Sequence, residues 1–257
     1  MSGMTEPVAT WLLLRGLTRE TAHWGSFVQA FQKAMPQARV IALDLPGNGQ
    51  LHEMRSPTEI AAMVAWCRAE LAQRGIRGPV HLLAMSLGAM VATEWAYRAP
   101  QELAECVLIN TSFAPLSPFY RRLRPRNYPR LLQLVLGGAV PARWEQTLLE
   151  MTSNRAGELA GVLPEWIAAR QQHPVRGANA LRQLLAAARY QVGPQAPAVP
   201  LLLLGSEQDR LVDVRCTLAA AQRWGSAVRL HPWAGHDLPL DDPDWVVAQV
   251  RDWQARG

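Results

Sequence analysis

The chain has 257 residues, 49% hydrophobic and 18% charged, which is enough apolar side chain for one large domain and excludes a disordered chain. Its formal charge is +5, and all but one of the 26 basic residues are arginine, Lys33 being the exception. That balance raises nucleic acid or a membrane surface as partners, but no nucleic-acid module accompanies it and no run nears the ~20 apolar residues of a membrane span.

Short apolar runs alternate with amphipathic helical patterns. Val8–Leu14 reads as a first strand. Trp24, Phe27, Val28, Phe31 and Met35 then recur at helical spacing until Pro36 stops them. Arg39–Leu43 reads as a second strand. Ser56-Pro57-Thr58-Glu59 has the form of a capping box with proline at the first helical position. It predicts a helix with the stripe Ile60, Met63, Val64, Cys67 and Leu71, closed by Gly75. Val80–Met85, Ala104–Ile109, Val199–Leu204 and Ala227–His231 read as further strands. Asp242-Pro243 opens a final helix with Val246, Val247, Val250 and Trp253 on one face. Runs such as Leu201-Leu202-Leu203-Leu204 are apolar throughout, as strands buried on both faces of a parallel sheet are. The predicted class is α/β, a mostly parallel central sheet with helices on both faces.

Residues 113–197 break this rhythm. They hold helical patterns around Tyr128–Leu136, Arg143–Met151, Pro164–Arg170 and Ala178–Tyr190, with no convincing strand. The predicted organisation is a core of 1–112 and 198–257 with 113–197 inserted as a helical cap. The N-terminal residues carry no secretory pattern. Cys67, Cys106 and Cys216 are odd in number and lie in apolar patterns, which suits reduced core thiols of a cytoplasmic protein. No CxxC, HExxH or EF-hand spacing occurs, so neither metal nor cofactor is expected.

The chemistry centres on Ala84-Met85-Ser86-Leu87-Gly88, between a buried strand and a helix. Small residues two before and two after a serine permit the tight strand-to-helix turn that lifts its hydroxyl above the sheet edge. The plain alternative is a buried serine after a strand. A serine nucleophile needs a base. His236, in Trp233-Ala234-Gly235-His236-Asp237, follows the last strand; His23, His52, His81, His173 and His231 are less well placed. The base needs an acid to hold it, and Asp209 lies in the loop after the four-leucine strand. Asp213 is the rival but stands where a helix cap is expected, and Glu207 is a weaker one.

These residues, in the order Ser86, Asp209, His236, identify the chain as resembling the α/β-hydrolase fold superfamily, in particular its small capped esterases. Asp44-Leu45-Pro46-Gly47-Asn48-Gly49 is similar to a loop of those esterases and reads here as a structural turn. The resemblance implies six strands of the eight-stranded form. It also implies an oxyanion hole from the Leu87 and Leu17 amides. One departure is Arg15-Gly16, where His-Gly is usual. Arg15 either anchors its loop by hydrogen bonds or contacts an anionic group.

From residue 106 to residue 144 there is no acidic residue, while six arginines occur, Arg122 and Arg124 among them. If this segment caps the site, Arg15, Arg122 and Arg124 are candidate contacts to an anionic or carrier-bound ester. The alternative is a solvated helix face with arginine stems packed on aromatics. The expected activity is a serine carboxylesterase on a small-molecule ester of small or medium acyl group. Competing readings are a triad-dependent carbon–carbon hydrolase or lyase, a thioesterase, and a non-catalytic ligand-binding relative. Nucleic-acid binding rests on charge alone.

Overall fold

The computed structural model describes residues 9–136 and 140–256. Six parallel strands form one sheet: β1 (Thr10–Leu14), β2 (Arg39–Leu43), β3 (Val80–Met85), β4 (Leu103–Ile109), β5 (Leu201–Ser206) and β6 (Ala227–His231). Their order is β2-β1-β3-β4-β5-β6. The predicted strands coincide with these to within two residues at each end; Val8 lies outside the described residues. Because every strand runs the same way, all six carboxyl ends open on one edge, where α/β sheets place their sites.

Helices cover both faces. On one side α2 (Ile60–Gln73), α3 (Leu87–Arg98) and α9 (Arg215–Trp224) pack Met63, Val64, Val91, Trp95 and Ala220 against Leu12, Leu82 and Leu203. On the other, α1 (Phe27–Ala34) and α11 (Pro243–Gln254) pack Phe27, Phe31, Val246 and Val250 against Leu13, Leu83 and Leu202. Alternate residues of one strand thus go to opposite faces, which is why the strands are apolar throughout. Each fully buried leucine is worth about 1.5–3 kcal/mol. The three cysteines are all buried and unbonded to one another. Burial pushes the Cys67 thiol up to about 12. Among the described residues no helix is long and apolar enough to cross a membrane.

Between β4 and β5 the chain forms α4 (Phe119–Arg122), α5 (Tyr128–Leu136), α6 (Pro141–Thr152), α7 (Leu163–Gln172) and α8 (Gly177–Arg189). The only strand-like pairing described there is an isolated bridge, Ala114 to Gln191. The short α10 (Leu238–Asp241) follows the last strand.

One expectation needs correction. Ser56 does not cap α2, which starts at Ile60 with Glu59 at its cap position. The Ser56 hydroxyl is buried and donates to the Pro46 carbonyl at 2.7 Å. Three residues too early for the helix, it closes the loop after β2 instead. The final helix does begin as predicted, with Asp242 accepting from the Trp245 amide at 3.0 Å.

Candidate active site

Ser86 sits at the end of β3 with φ 54° and ψ −115°, a conformation non-glycine residues rarely adopt and one that costs about 1–3 kcal/mol. Its neighbours hold it there. The Ser86 amide donates to Ile109 O at 3.0 Å, and its carbonyl accepts from Thr111 Oγ1 at 3.3 Å and from the Ala89 amide at 3.1 Å. Gly88 is required by space: a Cβ there would lie 2.5 Å from Leu14 O and 2.7 Å from Arg15 O. The helix start is thereby pressed against the end of β1. Leu87 is the first residue of α3, where an amide has no partner within the helix. A Cβ at Gly16 would lie 3.2 Å from Ser86 Cβ and 3.6 Å from Ser86 Oγ, so the turn that continues into Leu17 abuts the serine.

His236 Nδ1 and Asp209 Oδ2 are 2.7 Å apart, and both residues are buried. The other oxygen, Oδ1, accepts from the Leu211 and Val212 amides at 2.7 and 2.9 Å. The carboxylate is thus aimed by its own loop, with one oxygen left for the imidazole. A proton on Nδ1 facing that oxygen leaves Nε2 free to accept one. Asp213 is engaged otherwise: it accepts from the Arg215 amide and pairs with the Arg215 and Arg124 guanidiniums. Those contacts, led by the Arg215 hydrogen bond, hold its carboxyl down at about 2. Glu207 is exposed.

Asn110, which the sequence reading missed, ties the histidine loop to the serine strand. It follows β4 directly, one residue beyond the Ile109 carbonyl that bonds Ser86. Its amide nitrogen donates to His236 O at 2.8 Å, and its oxygen accepts from the Ser206 amide at 2.8 Å. Its φ is 44°, which asparagine tolerates better than most side chains. The signal was a first polar residue after an apolar strand, at the same edge as Ser86. Asp241 was missed too. Its Oδ2 accepts from Gly235 N at 2.6 Å and from Asn154 N at 3.1 Å, joining the histidine loop to the residues after α6. His231 shapes the approach, its Nδ1 accepting from the Ala234 amide at 3.0 Å.

Arg15 is buried, and its Nη1 and Nη2 reach Asp237 Oδ1 and Oδ2 at 3.0 and 2.5 Å, with its guanidinium 4.8 Å from the Trp24 ring. Burial pushes the Asp237 carboxyl up, but the Arg15 charge and hydrogen bonds, with Arg19 and His236 beyond, hold it below the ordinary range. Of the two roles expected for Arg15, loop anchor is the one the geometry gives; its anionic partner is Asp237, the residue after His236. Arg122 likewise turns inward, donating to Ala187 O at 2.6 Å at the end of α8. Arg124 lies 3.7 Å from Asp213. All three guanidiniums expected to face substrate therefore have protein partners.

The inserted helices meet this edge at two more places. Gln183 of α8 accepts from the Thr18 amide at 2.9 Å and donates to Asn48 Oδ1 at 2.8 Å. Glu145 of α6, fully buried, accepts from Arg19 Nη1 at 2.5 Å and from Arg170 Nε of α7. Among the described residues no cluster of three or more His, Cys, Asp or Glu could hold a metal ion.

Known proteins place the chain. No curated protein matches it at a significant level. Among solved structures it is similar to BpoC from Mycobacterium tuberculosis H37Rv, with 22% identity over 96% of this chain and 92% of that one and a TM-score of 0.76. It is also similar to a thermophilic esterase from Thermogutta terrifontis, with 22% identity, 96% and 90% coverage and a TM-score of 0.71. A hydrolase from Pseudomonas aeruginosa PA01 gives 17% identity, 97% and 91% coverage and a TM-score of 0.75. At these identities the likeness concerns the fold. Residues 11–249 match the alpha/beta hydrolase family, and the chain belongs to it.

Proposed function

We propose that the chain is a cytoplasmic serine hydrolase that cleaves a small-molecule carboxylic ester of small or medium acyl group, without a cofactor. The observation that carries this is the buried 2.7 Å contact of His236 Nδ1 with Asp209, in a loop bonded through Asn110 to the strand beside a strained Ser86. Residues 113–197 act as a cap, which their hydrogen bonds to the edge loops support.

In this reading His236 Nε2 takes the Ser86 proton as Oγ attacks the ester carbonyl. The Leu17 and Leu87 amides receive the oxyanion at the start of α3, where the helix end adds a favourable field. Asp209 stabilises the imidazolium. His236 then gives the proton to the leaving alkoxide, and a water, activated by the same ring, releases the acid. Fluorophosphonate labelling tests this: wild type should label and Ser86→Ala should not, in step with hydrolysis across esters varied in acyl length. A wild-type protein that neither labels at Ser86 nor hydrolyses any activated ester would refute it.

A further inference from the structure

The turn that abuts Ser86 continues to Arg19, whose amide donates to Gly16 O at 3.3 Å. The Arg19 side chain reaches from this turn to the inserted helices. Its guanidinium stacks 4.3 Å from the Trp166 ring on α7 and donates through Nη1 to Glu145 on α6. Arg170 binds the other oxygen of the same carboxylate and lies 4.8 Å from the Trp144 ring. Two guanidiniums therefore share one carboxylate. Arginine has five N–H donors, and among the described residues only Nη1 of Arg19 has an acceptor. Of the neighbouring carboxylates, Asp237 is paired with Arg15, and Glu20 meets His173 through Oε2 at 2.9 Å while its Oε1 has no hydrogen-bond partner among the described residues. The nearby His23 adds no charge. Its Nδ1 accepts from the Glu20 amide, and burial with the Arg19 charge holds the ring down at about 3.

A cation with unused donors, flat against an aromatic ring and largely withdrawn from water, is a receptor for a planar anion. It stands three residues from the glycine that touches the serine, between that turn and the helices above it. We infer that the substrate is an ester bearing a carboxylate, received by the Arg19 guanidinium with Arg170 beside it. This rests on the serine hydrolase reading and moves the anion contact from Arg15, Arg122 and Arg124 to Arg19, at the turn beside Ser86.

Matched esters test it. One pair places the charge on the acyl group, p-nitrophenyl glutarate against p-nitrophenyl valerate. The other places it on the leaving group, 4-carboxyphenyl butyrate against phenyl butyrate. In at least one pair, kcat/KM of the anionic ester relative to its neutral match should fall about tenfold or more in Arg19→Gln, as for a lost charge-assisted hydrogen bond. Arg19→Lys, which keeps charge but loses the fork, should fall between. Glu145→Gln should move the ratio the other way. A ratio within about twofold of wild type for both pairs in a folded Arg19→Gln protein overturns the inference. If Arg19→Gln does not fold, Arg170→Gln should lower the ratio in its place, and its failure to do so has the same force.

Calorimetry without turnover separates the two readings. Glutarate should bind more tightly than glutaramide to wild type, and that preference should shrink in the variant. Equal binding of the two overturns the anion site, whereas loss of Ser86 labelling refutes the hydrolase reading.

Discussion

At the strand edge Asp209 faces His236 and Arg15 faces Asp237, each as a single pair. At the border with the inserted helices, Arg19 and Arg170 share Glu145, and Arg122 donates to the carbonyls of Ala187 and Ala188. Facing pairs engage both Asp237 oxygens and two Arg15 nitrogens, which fixes where those atoms lie. Sharing leaves donors over, so it can hold a ligand. On the proposed reading, the loops that must be exact for proton transfer have the first arrangement. The helices that would set selectivity have the second.

The largest expected effect breaks the first arrangement at its centre. Asp209→Asn should lower kcat about a thousandfold or more, because an amide can neither hold the imidazole tautomer nor stabilise its charge. Asp213→Asn, which loses only contacts to Arg215 and Arg124, should stay within severalfold. Equal effects would move the acid to Asp213.

Next comes the Arg15–Asp237 pair. Removing either partner alone strands a buried charge and should cost about 3–5 kcal/mol in denaturant unfolding. Arg15→Met with Asp237→Leu should recover much of that loss. A single variant that costs under about 1 kcal/mol would show that edge pairing is not what holds these loops.

Acid sharpens the contrast in smaller steps. The folded His23 ring has its proton affinity lowered to about 3, by burial first and Arg19 second, against 6.5 ordinarily. Between those values the unfolded chain binds the additional proton. This contribution is therefore complete above pH ~6.5 and is lost as pH falls toward 3, by at most about 1.4 kcal/mol per pH unit. Unfolding of His23→Gln measured across this range should show a shallower decline; an unchanged slope would contradict the assignment. The smallest effect is Arg122→Ala. Losing its contacts to the end of α8 should cost about 1 kcal/mol. It should leave the anionic-to-neutral ester ratio unmoved, and a clear fall would return the anion contact to the α4 segment.

The strands, the small residues around Ser86 and the loop positions of Asp209 and His236 could be read from sequence because each is a local pattern. Leu201–Leu204 announces a buried strand, and Ala84 and Gly88 flank Ser86 at fixed offsets. What was missed joins distant segments. Asn110 binds His236 across 126 positions, and Gln183 binds Asn48 across 135. No periodicity encodes such a pairing; it follows from which strands become neighbours. Arg122 and Arg124 were candidates for substrate because a charge run can be counted, and Arg15 because of its place beside Gly16, while their protein partners cannot be read from sequence. Ser56 misled for a related reason: the spacing of a capping box was present, but its hydroxyl donates to Pro46 O and accepts from Gln183, both distant in sequence.

Arg15 and Asp237 stand 222 positions apart. On the ribosome the arginine emerges just after the first strand, and its carboxylate only after all six strands have been made. Until then the charge at the end of β1 keeps its water, although β1 is destined for the sheet interior between β2 and β3. Contacts so far apart in sequence form late, once the loops between them have closed. Docking of the last edge loop thus delivers His236 and dehydrates the first strand's terminus together. A nascent chain halted before residue 236 holds the Ser86 turn but neither His236 nor the partner of Arg15.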